Sequence, residues 1–466
     1  MASPPLDSAM HSNHERAVMT DLDLVRGLCT FIEQSPSMFH TAATIMDRLD
    51  AAGFRRLAEQ DAWSVSPGDA CYVTRNASSV IAFKVGAGLA PDGIRFQIAA
   101  AHGDSPAFKV KHLPELDGAG GTLRLDVEAY GGMIDSTWFD RPLGIAGRVL
   151  VRSADGRAES RLIASAGDVA LIPNVAIHQN REVNKGFALN RQVDLCPLFS
   201  AGALGRGAFD AMVAELAGTA PDAILGKDLF LCNRTAPRIW GWADEFVSAP
   251  KLDDLQCAFS ALTAFLAAEN PACITVFACF DNEEVGSGTK QGALSTFLHD
   301  VLVRVSSALG TRKEDHLRAL ARSFLVSCDN GHAIHPNHPE LFDAENCGRV
   351  NGGVLIKEAA NQKYATDAFS RALFAELCVQ AGVPVQTFAN HSASQGGSTL
   401  GNLSNQQVSV HAVDVGLAQL AMHSSYETAG VADTGNLVRA LAAFFSADIA
   451  IEGADSFEVH AGAPRM

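Results

Sequence analysis

The chain has 466 residues, 47% of them hydrophobic and 19% charged, with a formal charge of −16 at neutral pH. That length exceeds one ordinary core and predicts two domains or a large α/β domain with an insert, and the apolar share rules against extensive disorder. The negative charge argues against nucleic acid or an anionic membrane as the main partner, since both need clustered Lys and Arg.

In chain order, Met1 to Thr20 is polar and lacks a basic stretch followed by an apolar one, so residues 1–20 read as a flexible extension and not a secretion signal. Beyond it, short apolar runs alternate with amphipathic stretches. The pattern predicts an α/β fold with a mostly parallel sheet sandwiched by helices. Phe96 to Ala101 is a strand ending on His102. Residues 109–248 read differently, with β-rich pieces at 122–127 and 147–151 and a looser centre near 204–226. They are expected to form an inserted β-rich domain used in dimerisation or higher assembly, interrupting a catalytic domain of residues 21–108 and 249–466. Helices follow, with apolar stripes at Ala258, Phe259, Leu262, Phe265 and Leu266, at Phe369, Leu373, Phe374 and Leu377, and at Leu437, Val438, Leu441, Phe444 and Phe445. Between them, Ile274 to Phe280 is a strand delivering Asp281 to Glu284, and Phe324 to Val326 leads to Asp329. No apolar run approaches the roughly 20 residues of a membrane span. The ten cysteines form no C-x-x-C pair, which predicts buried free thiols and a cytoplasmic, reducing setting.

Chemistry-bearing residues gather at strand ends, where sites form in open α/β sheets. In Asp281-Asn282-Glu283-Glu284, one carboxylate can bind metal while its neighbour takes a proton from water; the same residues also suit an acidic turn before a helix. In His102-Gly103-Asp104, the imidazole can ligate metal while Asp104 holds its other nitrogen. Asp253 and Asp254 fit either a ligand with its neighbour or a helix N-cap. Asp329 precedes His332 and His335, and His423 adds one more imidazole. Two imidazoles and three carboxylates suit two zinc ions about 3.5–4 Å apart, with cobalt or manganese as alternatives.

These fragments occur in an order that resembles the M18 metallopeptidases, the aspartyl aminopeptidase family, from about Leu22 to Phe445. Further landmarks are Trp138-Phe139-Asp140-Arg141, the stretch from Ile172 to His178, His332 to Asn337, Lys357 to Thr366, and Gly397-Ser398-Thr399. The resemblance implies one metal on His102 and Asp329, the other on Glu284 and His423, Asp253 bridging both, and Glu283 as general base. It also implies that Lys357, Tyr364 and His332 contact substrate or intermediate, and that His178 reaches the active site of a neighbouring subunit. Judged on their residues alone, Lys357 and Tyr364 would sit on a solvated edge. The expected partners are peptides, and the expected assembly is a homo-oligomer, a dodecamer by family precedent.

The sequence departs from the family pattern at Asp135, Pro142, Asn402 and Ser425-Tyr426, none of them an expected ligand. Removal of N-terminal residues, acidic ones ranked first, is the primary expectation. The competing readings are a related two-metal deacylase or carboxypeptidase, and a metal-stabilised scaffold without catalysis.

Overall fold

The computed structural model describes residues 19–90, 93–394 and 396–462. Of the extension expected over residues 1–20, residues 1–18 lie outside this range. Thr20 caps the helix Asp21–Glu33, its hydroxyl accepting the N–H of Asp23.

A nine-stranded sheet forms the frame. Its centre is four parallel strands in the order Ile274–Phe280, Phe96–His102, Phe324–Cys328 and His411–Gly416. Three of them, Phe96–His102, Ile274–Phe280 and Phe324–Cys328, are buried along their whole length, as continuous apolar runs require of strands covered on both faces. Antiparallel neighbours occur further out, so the sheet is mixed. The helix Leu252–Ala267 packs on this sheet and against the helix Val431–Ser446, which also touches the sheet. Phe259, Leu262 and Phe265 on the first helix, and Leu437, Leu441 and Phe444 on the second, are in the shared core.

Residues 107–233 form a separate β-rich unit. The strands Ala107–Asp117, Leu123–Tyr130, Leu198–Ser200, Ala170–Leu171, Pro142–Arg152 and Ile224–Asn233 pair in a ring, closed by the last two, with Ala158–Ala164 added outside. The stretch expected to be loose contains the helix Ala208–Ala217. Phe209, Val213 and Ala217, four residues apart, bury one face of it in the barrel core, and Glu115 on a distant strand accepts the N–H of Phe209.

The strands Arg238–Trp240 and Phe246–Ala249 do not join this barrel. They build a five-stranded sheet with Glu427–Gly430, Ala418–Leu420 and Gly331–His332 from the later part of the chain.

All ten cysteines are free and all but Cys29 are buried. Among the described residues no helix is long and apolar enough to cross a membrane.

Candidate metal centre

Because the four central strands run parallel, their carboxyl ends share one edge of the sheet. His102 is the last residue of its strand, and Asp281 to Glu284 and Asp329 follow directly on theirs. The five-stranded sheet brings the remaining groups to the same edge. Asp253 follows the strand Phe246–Ala249, and His423 lies in the turn between Ala418–Leu420 and Glu427–Gly430. Asp253 and Asp254 have non-helical backbone angles, and the N-cap position of the helix is Lys251, not either aspartate.

The side chains meet in two groups that share Asp253. One contains His102, Asp253, Asp254 and Asp329, the other Asp253, Glu284 and His423. Asp253 Oδ1 lies 3.3 Å from His102 Nε2, and its Oδ2 lies 3.5 Å from His423 Nε2. Asp329 Oδ1 stands 3.8 Å from His102 Nε2, and Glu284 Oε2 stands 3.3 Å from His423 Nε2. Zinc holds nitrogen and oxygen donors at about 2.0–2.2 Å, which places tetrahedral ligands about 3.3–3.6 Å from one another. The observed separations suit that spacing better than direct hydrogen bonding. Asp253 Oδ1 and Glu284 Oε1 are buried with no hydrogen-bond partner among the described residues, a costly state that a cation relieves.

Both imidazoles are oriented from behind. His102 Nδ1 donates to the Asp104 carbonyl at 3.1 Å and lies 3.4 Å from its carboxylate, and His423 Nδ1 donates to the Gly132 carbonyl. Each Nε2 is thereby turned toward Asp253. Asp104 also orders the acidic turn, because its carboxylate accepts the N–H groups of Glu283 and Glu284 at 3.1 and 3.2 Å. Tyr130, from the barrel, donates to the same carboxylate at 2.6 Å. Asn282 and Gly286 have φ of 64° and 91° and flank a single 3-10 turn, so the acidic run is not the start of a helix.

The electrostatics are those of crowded acids. Burial, then Asp329, Asp104 and Asp253, push Glu283 up to about 8 against the pull of His102. Burial works to lower His423, but Asp253 and Glu427 overcome it and hold the imidazole up at about 9. His102 is raised in the same way, chiefly by Asp254 against its burial. Metal ligands must be deprotonated, so a cation held among these groups would displace such protons.

The other expected residues are distributed unevenly. Lys357 is not on a solvated edge: it is 1% exposed, donates to the Asp329 carbonyl at 2.7 Å, and lies 5.1 Å over the ring of the buried Tyr364. His332 is exposed, its ring centroid 6.3 Å from that of Phe388, and it feels the charges of Asp253, Lys357 and Asp329. His178 lies on an exposed stretch and is a member of neither ligand group formed by the described residues. The unusual residues have local partners. Asp135 accepts two hydrogen bonds from Arg191, Ser398 donates to Asn402, and Ser425 bonds Thr137 while Tyr426 donates to the Ala236 carbonyl.

Sequence reasoning gave Thr399 no role beyond a landmark, although it donates to Asp329 Oδ2 at 2.7 Å, and missed Tyr130 and Glu427. Their partners come from distant segments, and no spacing marks them.

The family model for aminopeptidase I zinc metalloproteases (M18) matches residues 31–445. The chain belongs to the M18 aminopeptidases. It is 40% identical over 421 residues to a probable M18 family aminopeptidase 2 of Clostridium acetobutylicum, covering 89% of this chain and 96% of that one. A relative of the same description in Pseudomonas paraeruginosa is 41% identical over 430 residues, covering 91% and 98%. Among solved structures, the Ape4 and Nbr1 complex aligns with a TM-score of 0.88 at 33% identity, over 91% of this chain and 86% of that one. A dodecamer of S. cerevesiae mApe1 aligns with a TM-score of 0.80 at 28% identity, over 91% and 96%. This M18 chain is accordingly a hydrolase acting on peptides, with zinc as the family's metal.

Proposed function

We propose that this M18 aminopeptidase holds two zinc ions, one on His102 and Asp329 and one on Glu284 and His423, with Asp253 between them and Glu283 as general base. The observation that carries the reading is the single buried carboxylate of Asp253, which turns one oxygen to each imidazole. When bound, such a pair supplies Lewis acidity that acidifies a water and polarises a peptide carbonyl. Glu283 is outside both ligand groups and beside them, so its carboxylate is free to accept a proton and return it to the leaving amine. Asp104 fixes the turn that carries Glu283, and Lys357 balances the charge of Asp329. The remaining acids around Asp253 suit a substrate's free α-amino group, which selects terminal over internal bonds.

We rank acidic N-terminal residues first on the family resemblance alone, since the Lys357 ammonium is engaged with Asp329. Comparing kcat/KM on Asp-, Glu-, Leu- and Lys-terminal chromogenic substrates ranks them. Acetylating the peptide amine is expected to abolish turnover; unchanged turnover would instead identify a deacylase or carboxypeptidase. We further read the chain as a cytoplasmic homo-oligomer, a dodecamer like the mApe1 assembly. Its buried free thiols support the compartment. Exposed Val175, Ile177, Phe187 and Val193 on the stretch around His178 support a covering second copy.

A further inference from the structure

Asp253 and His423 approach the centre from segments 170 residues apart in the chain, and each stands where the regular backbone around it is interrupted. Asp253 leaves helical angles at φ −83° and ψ 108°, and His423 has a positive φ of 68°. A non-glycine residue persists in the left-handed region only when its surroundings hold it there.

One side chain holds both. Glu427 accepts the Asp253 N–H on Oε2 at 3.1 Å and the His423 N–H on Oε1 at 2.7 Å. Gln419 Nε2 also donates to Oε1, at 3.3 Å. Glu427 is 1% exposed and opens the central one of three strands, paired on one side with Phe246–Ala249, which leads to Asp253. On its other side is Ala418–Leu420, which leads to His423. A buried carboxylate is retained against its desolvation only when its acceptors are used, and here both are.

We infer that Glu427 is a positioning residue of the metal centre, gripping the backbone of the bridging ligand and of a terminal ligand so that the two metal positions form as one unit. This rests on the two-metal reading above. Glutamine cannot take its place. With one oxygen only, its amide must turn an NH2 group toward one of the two N–H donors, whichever way it is rotated.

The test titrates metal-free wild type, Glu427→Gln and Glu427→Asp with Zn²⁺ against a chromogenic chelator, and follows thermal unfolding of the same metal-free samples. Glu427→Gln is expected to weaken both binding steps about 100-fold, and Glu427→Asp, which keeps both acceptors, about 10-fold. Melting of the metal-free Asp variant is expected to stay at the wild-type value. Should the Gln variant fail to fold, the Asp variant carries the test alone. Wild-type zinc affinity in the folded variants overturns the inference, as does an equal loss in both accompanied by equally lowered melting. A wild-type protein that takes up no zinc would instead refute the two-metal reading itself.

Discussion

Glu283 and Glu284 are adjacent, yet one is assigned to proton transfer and the other to metal, so the same isosteric change at each should have different consequences. Glu283→Gln leaves both ligand groups intact and keeps the backbone N–H that Asp104 accepts at 3.1 Å. It removes only the ability to take a proton. General-base contributions of about 10²- to 10⁴-fold correspond to about 3–5 kcal/mol on the barrier, so kcat/KM should fall by that factor with metal content unchanged. Glu284→Gln instead weakens a carboxylate 3.3 Å from His423 Nε2 and should lower metal content together with activity. The assay is kcat/KM on a chromogenic aminoacyl substrate, with metal content of the same preparations read by mass spectrometry. Glu283→Gln activity within about tenfold of wild type, well above the general-base range, would refute the assignment. So would loss of metal from Glu283→Gln with retention in Glu284→Gln, and intact function in Glu283→Gln would favour the scaffold reading.

Tyr130→Phe removes a hydrogen bond to the Asp104 carboxylate, worth about 1.5–3 kcal/mol for a charged acceptor, and should lower kcat/KM about 10- to 100-fold; unchanged kinetics would show that the barrel does not support the site. Lys357→Met leaves the Asp329 carboxylate, 3.6 Å away, without its buried cation and should cost about 3–5 kcal/mol of stability, read by urea unfolding of metal-free protein. His423 is raised to about 9 in the folded protein, so its contribution to metal-free stability is complete below its unfolded value near 6.5 and is lost as pH rises through about 9. Melting of chelator-treated protein should therefore fall across that window, whereas bound metal, which displaces the proton, should remove the slope.

Much of this was legible in the sequence because apolar strands announce where they end. His102, Asp281 to Glu284 and Asp329 follow continuous buried runs, and parallel strands deliver their ends to one edge. The stripes at Leu262 and Phe265 and at Leu437 and Leu441 were equally clear, since a helix buries one face at that spacing. The five-stranded sheet was not legible. Its strands, such as Gly331–His332 and Ala418–Leu420, are too short for alternation to mark, and they pair across large sequence separations. Glu427 was hidden for that reason, as its hydrogen bonds go to backbone groups that carry no side-chain signature. The burial of Lys357 was hidden too, because a lysine in a short strand reads as solvated until its acid, Asp329, arrives from another strand.

The most direct measurement of the central claim is zinc stoichiometry in wild type and in Asp253→Ala. If one carboxylate serves both positions, metal-free wild type should bind two zinc ions per chain, and Asp253→Ala should lose tight binding of both together. A wild type that binds a single ion, or an Asp253→Ala protein that keeps one ion at wild-type affinity, would contradict a shared centre.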